Sequence, residues 1–181
     1  MALLFTSCET KVGDSDYPEQ KIYLPAAVVN RVYVIDQAYL DSGSTPTEGA
    51  PFQFVADYDN ATFSIPLSVY RSGVTKDGDV NVSVWLDDTI IYQMYEEDIL
   101  DENSVTILDV DLMQCTDHVR IRSGEDRAAF NVVIDLDYLL DQSRFKKKFA
   151  FAVTISSEDR KITEGYDTVV IVVDTQLFEN L

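Results

Sequence analysis

The feature that most restricts this chain is its repetition of short runs rich in β-branched and aromatic residues. Nine can be marked: "KIYL" at 21–24, "RVYVID" at 31–36, "FQFVA" at 52–56, "TFSIPLSVY" at 62–70, "VNVSVWLD" at 80–87, "HVRIR" at 118–122, "AAFNVVIDL" at 128–136, "FAFAVTIS" at 149–156 and "TVVIVVD" at 168–174. Residues of this kind suit a pleated, half-buried surface, and the runs have strand length. Turn chemistry separates them: "DSGSTPTEGAP" at 41–51, "RSGVTKDGD" at 71–79, "RSGED" at 122–126 and "SSEDRKITEGYD" at 156–167. Only 89–100 and 135–142 read as short helices. Many short strands with regular turns predict an all-β fold, a two-sheet sandwich of about nine strands. Pro66 lies inside one run and cannot donate to a ladder, so that strand is expected at a sheet edge or to carry a bulge. No repeat recurs at the 20 to 50 residue scale.

With 181 residues, 46% of them hydrophobic, the chain can bury one good-sized core. The net charge is −18, and between Lys76 and Arg120 there are twelve Asp or Glu and no Lys or Arg. Such a surface repels phosphate backbones, which excludes nucleic acid as a partner. Solubility is the default account of the acid excess, ahead of a cation site or a cationic partner. No run of 18 apolar residues occurs, so any membrane attachment is expected through an anchor rather than a spanning helix. The two cysteines, Cys8 and Cys115, are too few for a disulfide framework.

Residues 3–8 read "LLFTSC". An apolar run, small residues and a cysteine resemble the end of a bacterial lipoprotein signal, with Cys8 as the lipid acceptor and Met1 internal to a longer signal. The competing reading is a buried strand end with a core cysteine. Residues 9–19 are polar, with Gly, Pro and Ser among several acids, as suits a flexible leader. The expected organisation is therefore 1–8 signal end, 9–19 leader, and 20–181 a single sandwich domain.

Catalytic constellations are scarce. A histidine triad has only His118 to draw on, in a position that suits an exposed strand residue. Zinc lacks clustered Cys and His, and no phosphate or dinucleotide loop is present. Carboxylates abound, but their placement in turns and at strand ends gives no sign of a glycosidase pair. No cofactor and no enzymatic activity are expected. Asp57 and Asp59, or Asp135 and Asp137, offer oxygen ligands for calcium, yet neither pair sits in a spaced twelve-residue calcium loop. Aromatic platforms carry more interest, because sugar rings stack their C–H faces on flat side chains while carboxylates and amides take the hydroxyls. Trp85, Tyr92, Tyr95 and Tyr58 are the candidates. Trp85 alternates with Ser83 and Asn81, on the phase opposite Val82, Val84 and Leu86, but a buried core Trp is the default reading because sandwiches often bury one.

The order of segments resembles a Bacteroidetes lipoprotein module, domain of unknown function 1735. The matching pieces are a strand ending in Ser72-Gly73, a strand with Val82, Val84 and Asp87, a turn of Ser123, Gly124 and Glu125, and a segment with Val132, Ile134 and Leu139. The resemblance implies an immunoglobulin-like sandwich of the cell envelope, outside a lipoprotein signal, in a family often placed before glycan-binding or glycosidase domains. Its motifs are turns and core positions rather than chemistry. The expectation is a non-catalytic, lipid-anchored protein of the outer membrane or cell surface that captures glycans beside a polysaccharide-uptake system. The alternative is an assembly component that packs against an envelope protein and takes no small ligand.

Overall fold

The computed structural model describes residues 19–28, 31–36, 54–141 and 147–180. In chain order these form β1 (Lys21–Tyr23), a 3-10 turn at Pro25–Val28, β2 (Val32–Ile35), β3 (Val55–Asp57), β4 (Thr62–Arg71), β5 (Val80–Leu86) and helix α1 (Thr89–Glu96). There follow β6 (Val105–Ile107), a 3-10 turn at Val110–Leu112, β7 (Met113–Cys115), β8 (His118–Ile121), β9 (Arg127–Asp135), helix α2 (Leu136–Leu140), β10 (Lys148–Ser156), β11 (Lys161–Ile162), β12 (Thr168–Asp174) and a 3-10 turn at Thr175–Asn180. Both expected helices form. The twelve strands among the described residues exceed the expected nine because β6, β7 and β11 were not foreseen; at two or three residues each, they are too short to show a period. No described helix is long and apolar enough to cross a membrane.

One sheet runs β11-β1-β4-β9-β7, with β3 also paired to β4; the other runs β2-β12-β10-β5-β8, with β6 also paired to β10. Strand alternation builds the core between them. Phe63, Ile65, Leu67 and Val69 of β4 and Phe130, Val132 and Ile134 of β9 face Val80, Val82 and Val84 of β5 and the inward side chains of β10 and β12. Fully burying a side chain of this size stabilises by roughly 1.5 to 3 kcal/mol, so this double layer dominates the folding energy.

β10 and β12 depart from alternation and are buried on both faces. Helix α1 lays Ile91 and Met94 on their outer side, over Ala150, Ala152, Val170 and Val172. The two alanines leave room for the helix to come close. α1 begins beside Asp87, whose carboxylate accepts the Thr89 N–H at 3.1 Å. It ends in a paired cap, with Ile99 N–H bonded to Met94 O at 2.9 Å, Asp98 N–H to Tyr95 O at 3.2 Å, and Asp98 in the left-handed region at φ 55.

The edge-or-bulge expectation for Pro66 is corrected by the pairing, because β4 is flanked on both sides and is internal to its sheet. Arg71 N–H donates to Asp126 O across to β9, so alternation turns the odd-numbered amides toward β9 and the nitrogen of Pro66 the other way. On that side β3 pairs through Ser64 and β1 resumes at Tyr70, leaving 65–69 without a described partner strand. Among the described residues, then, the missing donor of Pro66 breaks no ladder bond.

Candidate functional site

The alternation that buries Val80, Val82 and Val84 sends Asn81, Ser83 and Trp85 to the outer face of the second sheet. Trp85 is 40% exposed, which answers the question left by its sequence context in favour of the surface. Register then assembles a groove. Ser83 lies between His118 on β8 and Ser156 on β10, and Trp85 stands opposite Thr154. Asn81, Ser83, His118 and Ser156 line a cleft of about 280 Å3 with Ser157, Glu158 and Asp159 from the turn after β10. Two residues along a strand rise about 7 Å, so the Trp85 ring continues the face one side-chain step beyond Ser83.

One wall of the cleft is fixed. Asp159 accepts the backbone N–H of Asn81 at 2.7 Å and its amide at 3.0 Å, while Ser157 Oγ donates to Asn81 O at 2.6 Å. The Asn81 hydrogen bonds, backbone first, hold the Asp159 carboxyl below its ordinary range, so it is charged at neutral pH. The other wall is open: among the described residues, the side-chain polar atoms of Ser83, His118, Ser156, Glu158 and Trp85 have no hydrogen-bond partner. His118 thus makes no bond to a serine, and the groove contains no assembled nucleophile and base.

The remaining aromatic candidates lie elsewhere. Tyr92 and Tyr95 on α1 pack edge to face with centroids 6.4 Å apart. Tyr95 donates its hydroxyl to Val105 O at 2.8 Å, tying α1 to β6, and burial pushes its pKa upward. Tyr92 is exposed, as is Tyr58 in the turn between β3 and β4. The calcium candidates are brought together more closely than the sequence suggests, since Asp57 and Asp135 flank Thr62 from its two neighbouring strands. Yet Asp57 is occupied by the Asn60 amide at 2.8 Å and backbone N–H at 3.0 Å, and Asp135 caps α2 through Tyr138 N–H at 3.0 Å. Asp137 lines a cleft of about 270 Å3 with Asp111 and Asp135. Among the described residues, no group of three or more His, Cys, Asp or Glu could hold a metal. Cys8 lies outside the described residues; Cys115 is a free, partly buried thiol on β7.

Sequence reasoning missed Ser156, Ser157, Glu158 and Asp159 as partners of Trp85. They sit about 70 residues away in what reads as a plain turn, and only register joins them. Arg71 was missed as well, although a signal existed. In β4 it falls on the same alternate phase as Phe63, Ile65, Leu67 and Val69, and it is buried with them at 5% exposure.

Fold and groove define the chain as an all-β two-sheet sandwich with two short helices and an open polar face. No family model matches the sequence, and no curated protein matches it. The fold is similar to that of a Bacteroides ovatus protein described as a "putative carbohydrate binding protein", with a TM-score of 0.57 and 13% identity over 85% of this chain and 36% of that one. Solved structures with lower scores include a multidomain protein including DUF1735 from Bacteroides ovatus, the module that the turn motifs resemble (TM-score 0.48, 18% identity, 72% of this chain, 43% of that one). Another is an auxiliary nutrient binding protein from Bacteroides thetaiotaomicron (TM-score 0.49, 16% identity, 78% and 43%). The chain spans less than half the length of each of these three.

Proposed function

We propose that this sandwich is a non-catalytic glycan-capture module, held at the outer membrane or cell surface by a lipid on Cys8, and that it binds sugar across the outer face of its second sheet. The carrying observation is the exposed Trp85 ring beside side chains that have no partner within the described chain, Ser83, His118, Ser156 and Glu158. A flat apolar ring takes the C–H face of a sugar, and adjacent unpaired donors and acceptors take its hydroxyls. The description of the Bacteroides ovatus fold neighbour as carbohydrate binding supports the same reading.

A glycan array probed with the chain should show saturable binding at micromolar to millimolar Kd, about 4 to 8 kcal/mol. Trp85→Ala should abolish it while far-ultraviolet circular dichroism and the unfolding midpoint stay near those of the parent. Absence of binding across plant, host and microbial glycans, with capture of an envelope protein instead, would replace this function by assembly. Expressed from its full native start, the parent should partition with membranes and Cys8→Ala should not; equal partition of the two would remove the anchor.

A further inference from the structure

The charges around the groove favour one class of glycan. Its lining includes two carboxylates, Glu158 and Asp159, and no Lys or Arg. The guanidinium groups nearest in sequence and register, Arg120 and Arg160, already have partners. Arg120 stands opposite Asn81 on β8 and pairs with Asp79. Arg160 donates to Asp159 O at 2.7 Å, to Asp77 O at 3.3 Å and to Gln20 at 3.3 Å, each of its three nitrogens meeting the turn backbone or the segment before β1. Glu158 is exposed and has no partner among the described residues, so its acceptors are available to a ligand.

We infer that the Trp85 groove selects uncharged, hydroxyl-rich oligosaccharides and rejects glycans that carry carboxylate or sulfate groups. This rests on the capture function proposed above and specifies its ligand. A neutral sugar gives the Glu158 carboxylate, the Ser83 and Ser156 hydroxyls and the His118 imidazole the donors and acceptors they lack among the described residues, with the ring stacked on Trp85. A uronate or sulfate in the same place would lie beside Glu158 and Asp159 with no Lys or Arg in the lining to balance it, and like charges held close together repel strongly once water is displaced.

The test is titration of the chain with neutral gluco-, xylo- and galacto-oligosaccharides against oligogalacturonate and sulfated galactan of matched length, repeated with Trp85→Ala and Glu158→Lys. The expected result is that at least one neutral series binds, the acidic probes bind at least tenfold more weakly, Trp85→Ala removes neutral binding, and Glu158→Lys narrows the gap in favour of the acidic probes. Acidic probes that bind as tightly as neutral ones and lose binding with Trp85→Ala would overturn the selectivity and leave capture standing. Neutral binding that survives both substitutions would overturn the groove as its site. Failure of every probe to bind would overturn both readings.

Discussion

The Nε of Arg71 donates to the carbonyl oxygen of Glu125 at 2.7 Å, across 54 positions of sequence. The rest of the guanidinium is equally engaged: Nη1 reaches Gly78 O at 2.8 Å, and Nη2 reaches Lys76 O at 2.6 Å and Arg122 O at 3.0 Å. A buried charge is tolerable when its donors are satisfied, and here main-chain carbonyls of two loops do so. The Ser123-Gly124 motif sits beside this clamp. Gly124, at φ 89, donates to Lys76 O at 2.8 Å, and Ser123 N–H donates to Asp79 at 2.8 Å.

Arg71→Ala should therefore lower stability by about 1 to 3 kcal/mol, because part-buried carbonyls of two loops lose a donor that they share. Arg71→Lys should recover only part of this, since one ammonium cannot span the fork. Urea midpoints check both. A loss below about 1 kcal/mol for Arg71→Ala would show the clamp to be dispensable.

Strand identity and both helices were legible because each depends on local periodicity. The phase that turns Trp85 outward was visible in the same alternation, but the tendency of sandwiches to bury one Trp argued for the core, and the 40% exposure corrects that. Val80, Val82 and Val84 alternate with Asn81, Ser83 and Trp85 in sequence as they do in space. The two-sided burial of β10 and β12 was legible only as continuous apolar runs, with nothing to name α1 as the cover. The groove was not legible. Ser83 meets Ser156 and His118 through pairings separated by 73 and 35 positions, and register at that range follows from the whole sheet rather than from either strand. Pro66 was misjudged for the same reason, because whether a strand is an edge can change along its length.

Acid should weaken the fold in a way that individual carboxylates report. Arg120, and then the Ser123 N–H, hold the Asp79 carboxyl below its ordinary value of 3.8; Lys76 does the same for Asp126, and Asn81 for Asp159. Folded values below unfolded ones mean that the stabilisation is present above about pH 4 and is lost as pH falls through the folded values. Urea midpoints should fall between pH 4 and pH 2. Asp79→Asn should show a shallower fall than the parent, and parallel curves would remove Asp79 from the account.

Cys115 should act at the opposite end of the scale. Burial pushes its thiol from 9.0 to about 11, because the half-buried site on β7, packed against the core, disfavours the thiolate. Between those two values the unfolded chain releases the proton and the folded chain keeps it. Stability must then fall as pH rises from about 9 toward 11, while below pH 9 the thiol is neutral in both states and contributes no slope. Lysine and tyrosine titrate in the same interval, so the informative quantity is the difference between parent and Cys115→Ala. The parent should lose more stability than the variant between pH 8.5 and pH 10.5. In the folded parent at pH 8, iodoacetamide should label Cys115 far more slowly than in urea, since the thiolate is the reactive form. Rapid labelling of the folded chain, or equal pH slopes for the two proteins, would place the thiol in water rather than against the core.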